Sequence, residues 1–461
     1  MSTTLEPWHE IHNGMDRKDI LSHMNKHGVR FLRLQFTDIT GVNKNVEVPA
    51  SQFEKALDGE ILFDGSSIDG FCRIEESDMV LKPDYATYRL DPFPSVGLRG
   101  RDHGRVARVI CDVFNPDGSP FAGCPRQALK RQCAEAAELG YEVMVGPEAE
   151  FFLFQRGPNG EATTETHDSA GYFDLAPTDL GESCRREIVL ALEAMGFEIE
   201  AAHHEVAPGQ HEIDFKYGPA VEVADNLSTF RYVVRRTALE MGLHATFMPK
   251  PIYLRNGSGM HCHQSLFKDG VSAFYDKDAE FDGISKTMQH YIGGLLAHAR
   301  GFCAVTNPIV NSYKRLVPGY EAPTHLAWSM RNRSPLIRVP DRRGIATRCE
   351  LRSPDPACNP YLAFTVMLAA GLDGVKNATE PPPPVAANVY DMSARERGRL
   401  KIKSLPSDLG DALDQLEKSS VMREALGEHI FTQFLVAKRT EWEDYIGQVH
   451  QWEVDRYLTM Y

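Results

Sequence analysis

Paired cysteines, signal segments, long apolar runs, nucleotide-binding glycine loops and an excess of positive charge are all missing from this sequence. Each absence removes a class of function. The nine cysteines are odd in number and include no C-x-x-C pair, so free thiols in a reducing cytosol are expected rather than a disulfide framework. The opening Met1-Ser2-Thr3-Thr4-Leu5-Glu6 lacks the basic and apolar parts of a signal sequence, and the most apolar stretch, residues 361–371, is too short to span a bilayer. A cytoplasmic protein without a membrane partner is therefore expected. The net charge of −14 gives no attraction toward nucleic acid or an anionic lipid surface. Neither G-x-x-x-x-G-K-[ST] nor G-x-G-x-x-G occurs, so a nucleotide would have to be bound by another device.

What is present is a globular composition, 42% hydrophobic over 461 residues, enough for a large core and two or three domains. The stretch that organises it is His203-His204-Glu205-Val206-Ala207-Pro208-Gly209-Gln210-His211-Glu212. It reads as strand, sharp reversal and strand, because Pro fixes its own φ and Gly supplies the unusual one. The reversal brings Glu205 and Glu212 together on one side, where they would repel unless a cation lay between them. Three other segments repeat the pattern. Glu148 and Glu150 lie two apart, as do His261 and His263, and Arg348, Glu350 and Arg352 alternate with Cys349 and Leu351. On strands each set shares one face. Five carboxylates with one or two imidazoles form a hard, oxygen-rich donor set that suits two Mg²⁺ or Mn²⁺ ions, with positions left for phosphate oxygens and water.

In chain order, residues 1–15 read as a polar extension. A short helix at 16–28, strands at 31–36 and 44–49 and a helix at 51–57 follow, leading to the loop Phe63-Asp64-Gly65-Ser66-Ser67. The turn Asn115-Pro116-Asp117-Gly118 closes this mixed segment, which places a domain boundary near residue 120 and divides the chain into 16–120 and 121–461. Amphipathic helices at 125–139 and 182–195 each lead into a carboxylate strand. Asn256-Gly257-Ser258-Gly259 precedes the His strand, where its backbone N–H groups can approach an anion. Eight arginines between residues 315 and 352, Arg315, Arg333, Arg338 and Arg352 among them, offer guanidinium forks to phosphates and carboxylates. The loop 317–323, bracketed by prolines and carrying Glu321, reads as a lid. Beyond the stiff Pro381–Pro384 connector, helices are expected at 409–416, 421–437 and 441–457, on the sheet's outer face or at subunit contacts.

With these residues in view, the sequence resembles type I bacterial and archaeal glutamine synthetases of the Bacillus-like subtype. The resemblance runs from Arg17 to Tyr461 and is carried by FDGSS at 63–67, GPEAEFFLF at 146–154, HHEVAPGQHE at 203–212, NGSGMHCH at 256–263, NPIVNSYKRLVPGYEAP at 307–323 and RNRSPLIR at 331–338. It implies an α+β fold: an N-terminal β-grasp domain and a catalytic domain with a curved antiparallel sheet and flanking helices. Two face-to-face hexameric rings would form a dodecamer.

The activity implied is ATP-dependent ligation of ammonia to the γ-carboxylate of glutamate through γ-glutamyl phosphate. By the family pattern Glu150, Glu205 and Glu212 would hold one ion and Glu148, His261 and Glu350 the other. Asn256, Gly257, Arg315 and Arg352 would hold glutamate, and Arg333 and Arg338 phosphates. Glu200, Phe215, Lys216, Tyr217, His263 and Ser265 match nucleotide-contacting positions. Asp64 would take a proton from ammonium, and Glu321 would shield the acyl phosphate. Tyr390 stands in an N-V-Y-D-M-S context rather than the adenylylated N-L-Y-D-L-P of enterobacterial-type members, so it is expected to stay unmodified. A ligase for another amine and a binuclear metallohydrolase are the competing readings. The lid and the arginines count against a hydrolase, which must admit water.

Overall fold

Local signals set the first elements in the computed structural model, which describes residues 14–68, 70, 78–93 and 103–461. Asp16 accepts from the backbone N–H groups of Lys18 and Asp19, and Asp19 bonds back to Asp16, a reciprocal cap that starts the helix Arg17–Lys26. Ile20 and Met24, one turn apart, are its buried residues. Residues 1–13 of the expected extension lie outside the described residues.

Five strands form the first sheet in the order Asn43–Pro49, Val29–Thr37, Arg105–Phe114, Asp78–Leu90, Ile61–Asp64. Val29–Thr37 and Arg105–Phe114 run parallel, and the other pairs are antiparallel. A turn at 115–118 then leads to the helix Pro125–Glu138.

The second, larger sheet follows the path Trp328–Met330, Ile337–Val339, Cys349–Leu351, Met260–Lys268, Glu142–Arg156, Gln210–Phe215, Ile199–His204. Its spine is antiparallel as expected; the short edge pair Trp328–Met330 and Ile337–Val339 is parallel. Alternation along Glu142–Arg156 sends Glu148 and Glu150 to one face and Phe151 and Leu153 to the other. On that apolar face Phe151 meets Phe230 and Phe247, with ring centroids 6.2 and 5.8 Å apart. The helix Ala220–Glu240 thus covers one side of the sheet and leaves the acidic side open.

The apolar stretch near residue 361 is a core helix, Pro360–Lys376, and most of it is fully buried. It packs against Lys286–Thr306 so closely that a Cβ at Gly294 would fall 2.1 Å from the carbonyl oxygen of Ala370. The C-terminal helices are Leu409–Glu417, Ser420–Leu426, Glu428–Ile446 and Gln451–Tyr457. The helix expected at 421–437 is therefore two. Gly427 takes φ +77 and breaks it, and the second piece runs on through Glu441. Leu409–Glu417 packs on Lys286–Thr306 and Ser420–Leu426 on Pro360–Lys376, and Glu428–Ile446 lies against those two, a second layer rather than the sheet's own face.

Arg126 joins the two halves. Buried, it bonds Asp112 and Asp84 of the first sheet (3.1 and 2.6 Å) and Asp225 of the covering helix (2.9 and 2.8 Å). Removing it would leave three carboxylates facing one another.

Candidate active site

Sheet register assembles the open face. His261 pairs with Glu148, Glu150 with Glu212, and Glu212 with His203, while Glu350 lies between His263 and Arg338. Side chains directly opposite on antiparallel strands stand about 5 Å apart, so residues from six strands share one cleft. The hairpin supplies the rest. Gly209 takes φ +70 at the reversal, and Glu205 N–H donates to the Gln210 carbonyl across it (2.8 Å).

The cleft has a volume of about 790 Å³. Glu148, Glu150, Glu205, Glu212, His261 and Glu350 line it together with Asn256, Gly257, Arg315, Glu321, Arg333, Arg338 and Arg352. The four chain segments read as metal-binding and anion-binding therefore converge.

Burial, then the Glu150 charge, pushes the Glu205 carboxyl up to about 9. Burial lifts Glu150 to about 7 against the pull of Arg315. Burial together with Asp214, Glu150 and Glu205 holds Glu212 well above the carboxylate range. Glu148 goes the other way, because hydrogen bonds with His261 and His263 outweigh its burial. A cleft in which burial and neighbouring carboxylates raise these carboxyls fits divalent cations, and its hard oxygen donors suit them chemically.

Among the described residues, two groups of donor atoms within 4.8 Å of one another lie at this cleft: His203, Glu205 and Glu212, and Glu148, His263 and Glu350. Each includes an imidazole outside the expected ligand sets. His203 Nε2 is 3.1 Å from Glu212, and His263 Nε2 is 2.8 Å from Glu148. The expected ligand His261 stands 3.5 Å from Glu148 and 3.8 Å from Glu350. Glu350 is also paired with Arg338 (2.7 Å) and Arg352 (2.5 Å).

Three comparisons bear on this site. A family model described as the glutamine synthetase catalytic domain matches residues 122–457, and one described as the glutamine synthetase beta-grasp domain matches residues 28–116. The glutamine synthetase of Thermus thermophilus is 62% identical over 449 residues, spanning 97% of this chain and 100% of that one. That of Clostridium saccharobutylicum is 55% identical over 96% of this chain and 99% of its own. The chain belongs to the glutamine synthetase family.

Among solved structures, a Plasmodium falciparum glutamine synthetase superposes with a TM-score of 0.85 at 25% identity, over 96% of this chain and 99% of that one. A GmaS/ADP complex gives 0.85 at 33%, with the same coverage. The chain is a ligase that forms glutamine from glutamate and ammonia at the expense of ATP, and its chemistry uses divalent metal. Membership in the family removes the metallohydrolase reading. Among the described residues no helix is long and apolar enough to cross a membrane.

The remaining predicted residues fall in three places. Glu200, Phe215, Tyr217, His263 and Ser265 line an adjoining cleft of about 320 Å³ that shares Glu148 with the first. The side chain of Lys216 points away from it and pairs with Glu198 (2.7 Å). Asp64 ends a strand of the other domain, exposed, with its carboxylate bonded to Ser66 N–H and hydroxyl (2.8 and 2.6 Å). It does not line the acidic cleft of its own chain.

Several working residues escaped the sequence. Gln210 Nε2 donates to Glu150 (2.7 Å) and to the Gly257 carbonyl (3.1 Å), so one amide ties the carboxylate strand to the Asn256–Gly259 loop. Gly259 N–H also donates to Glu150 (3.0 Å). Tyr172, His203, Asn388 and Tyr390 line the cleft as well. A His doublet and a Gln inside the organising hairpin were the available signal.

Arg315 is buried and spends donors on the carbonyls of Ser353 (2.7 Å), Pro354 (3.2 Å) and Arg352 (3.2 Å), which fixes its guanidinium at the cleft wall. Gly257 is required beside it, since a Cβ there would sit 2.2 Å from the Pro249 carbonyl oxygen.

Proposed function

We propose that the acidic cleft holds two divalent ions, Mg²⁺ or Mn²⁺, with Glu150, Glu205 and Glu212 around one and Glu148, His261 and Glu350 around the other. What carries this reading is the convergence of buried carboxyls pushed out of their ordinary range beside a wall of arginines. Bound there, the ions offset the carboxylate charge and polarise phosphate oxygens. ATP occupies the adjoining cleft against Glu200, Phe215, Tyr217, His263 and Ser265, with Lys216 turned to Glu198 outside it. One solved neighbour is a complex with ADP, which supports a nucleotide site in this fold.

Asn256, Gly257 and Arg315 hold glutamate, and Arg352 orients its γ-carboxylate. That carboxylate oxygen attacks the γ-phosphorus of ATP, ADP leaves, and Arg333 and Arg338 spread the charge of the transferred phosphoryl group. Ammonia then attacks the acyl carbon and phosphate departs. Ammonium has no lone pair, so Asp64 removes a proton first. Glu321 closes the lid against water, which would otherwise hydrolyse the acyl phosphate.

The chain works as two units, residues 16–120 and 121–461. Asp64 is exposed on the first and absent from its own chain's cleft, so it serves the site of a neighbour. A head-to-tail contact of that kind closes into rings, here two hexamers stacked as a cytoplasmic dodecamer.

Glutamate-dependent phosphate release from ATP, measured with ammonium and then with a panel of amines, tests the nucleophile. Ammonium should give the highest kcat/KM. A higher value with methylamine or a larger amine overturns ammonia as the substrate.

A further inference from the structure

The lid is fastened from two sides. On the glutamate side, Lys250 Nζ lies 3.9 Å from the Tyr320 ring centroid and Asn256 Nδ2 donates to Glu321 (3.1 Å). On the other side, Tyr390 Oη donates to the carbonyl of Ala322 (2.9 Å). Glu321 itself sits at φ +61, in the left-handed region that a side-chain-bearing residue disfavours. The lid tip therefore does not hold its own shape. Bonds to its neighbours must hold it.

Tyr390 is well placed to supply one. The segment that carries it follows the stiff proline run and is bonded along its length. Trp328 Nε1 donates to the Pro382 carbonyl (2.5 Å), and Val385 N–H donates back to the Trp328 carbonyl (2.8 Å). Asn332 Nδ2 donates to the Ala387 carbonyl (3.0 Å), and Val389 N–H donates to Ser334 Oγ (3.0 Å). Val389 is fully buried, while Asn388 caps the turn by accepting from Tyr390 N–H (3.1 Å). Asn332 and Ser334 flank Arg333, so this one segment braces the phosphate-binding loop and ends in the hydroxyl that bonds the lid. Its half-buried phenol is kept protonated by burial, and a carbonyl acceptor needs an O–H donor.

We infer that Tyr390 is a lid latch, a positioning residue whose hydroxyl holds the Ala322 carbonyl and thereby keeps Glu321 over the reacting acyl group. The latch ties closure of the glutamate end of the site to the loop that presents Arg333 at the phosphate end. This rests on the shielding role proposed for Glu321. When the latch is lost, water competes with ammonia. Water adds to γ-glutamyl phosphate, the acyl phosphate bond breaks, and glutamate and phosphate leave. The net reaction is ATP plus water to ADP plus phosphate, with no glutamine formed.

The test is the ratio of ADP to glutamine formed by the full-length wild type, Tyr390→Phe and Glu321→Ala at subsaturating ammonium. Tyr390→Phe keeps the ring and removes only the hydroxyl. One hydrogen bond of ordinary strength changes a closed-to-open ratio about fivefold, so the site stands open to water more often by about that factor and the ratio should climb above one. It should fall back toward the wild-type level as ammonium saturates. General damage to packing would lower the rate and leave the ratio at one, so the ratio separates the two. A ratio that stays at one in Tyr390→Phe while Glu321→Ala uncouples overturns the latch and leaves the shielding role intact. A ratio of one in both variants overturns the shielding role and the latch with it.

Discussion

Replacing Glu205 by glutamine should end catalysis and yet stabilise the metal-stripped protein. Burial and the neighbouring Glu150 charge lift the Glu205 carboxyl from its ordinary 4.5 to about 9. An acid whose pKa is raised by folding contributes stability that is fully present below its unfolded pKa. That contribution is lost as pH rises through the folded value. Here the window runs from 4.5 to about 9, and across it the folded chain binds one more proton than the unfolded one. Each pH unit in the window then removes about 1.4 kcal/mol, so by pH 7 the loss is roughly 3 kcal/mol from this group. With a side chain only 12% exposed, solvent screening takes little of it. Glutamine has the same shape and no charge to suppress, so it does not carry this loss. Thermal unfolding of chelator-treated wild type and Glu205→Gln from pH 5 to 9 reads the effect. The two midpoints should lie close at pH 5 and separate as pH rises, the variant higher by several degrees at pH 7. Restoring divalent salt should raise the wild type more than the variant. A difference that does not change with pH, or a variant that melts below the wild type at pH 8, refutes the electrostatic argument.

Three further outcomes are expected. His261→Ala should abolish turnover, and chelation should inactivate the wild type reversibly; wild-type rates in metal-free buffer would show that no cation is needed. Asp64→Ala and Glu205→Ala, each nearly inactive alone, should regain activity when their subunits are mixed equally before assembly. About a quarter of sites would then be intact, one factor of a half for each contributing chain. If no activity returns, Asp64 serves its own chain. Gly257→Ala should raise the KM for glutamate at least about tenfold with that for ATP little changed, because its Cβ meets a backbone oxygen that cannot move aside. An unchanged glutamate KM would remove Gly257 from the glutamate site.

Much of the fold was legible because its signals are local. The capping acid at Asp16, the amphipathic helices beginning at Pro125 and Glu182, and the reversal at Pro208-Gly209 all depend on residues a few positions apart. The helix break at Gly427 was missed for the converse reason. A glycine inside a periodic run is compatible with either continuation or a stop, and here packing selects φ +77 and the stop.

The site divides along the same line. Side chains on a strand alternate with period two, so sequence alone determined that Glu148 and Glu150, His261 and His263, and Glu350 and Arg352 would each present together on one face. It carried no information on which residue stands opposite which. Only tertiary structure decided that Glu150 faces Glu212, that Glu350 lies between His263 and Arg338, and that the amide of Gln210 spans from Glu150 to Gly257. It also decided that the hydroxyl of Tyr390 reaches a lid 68 residues away in sequence. The physical reason is that a residue's facing follows from backbone sterics within a few bonds, whereas its partner across a sheet is fixed by loop closure and by the packing of the whole core.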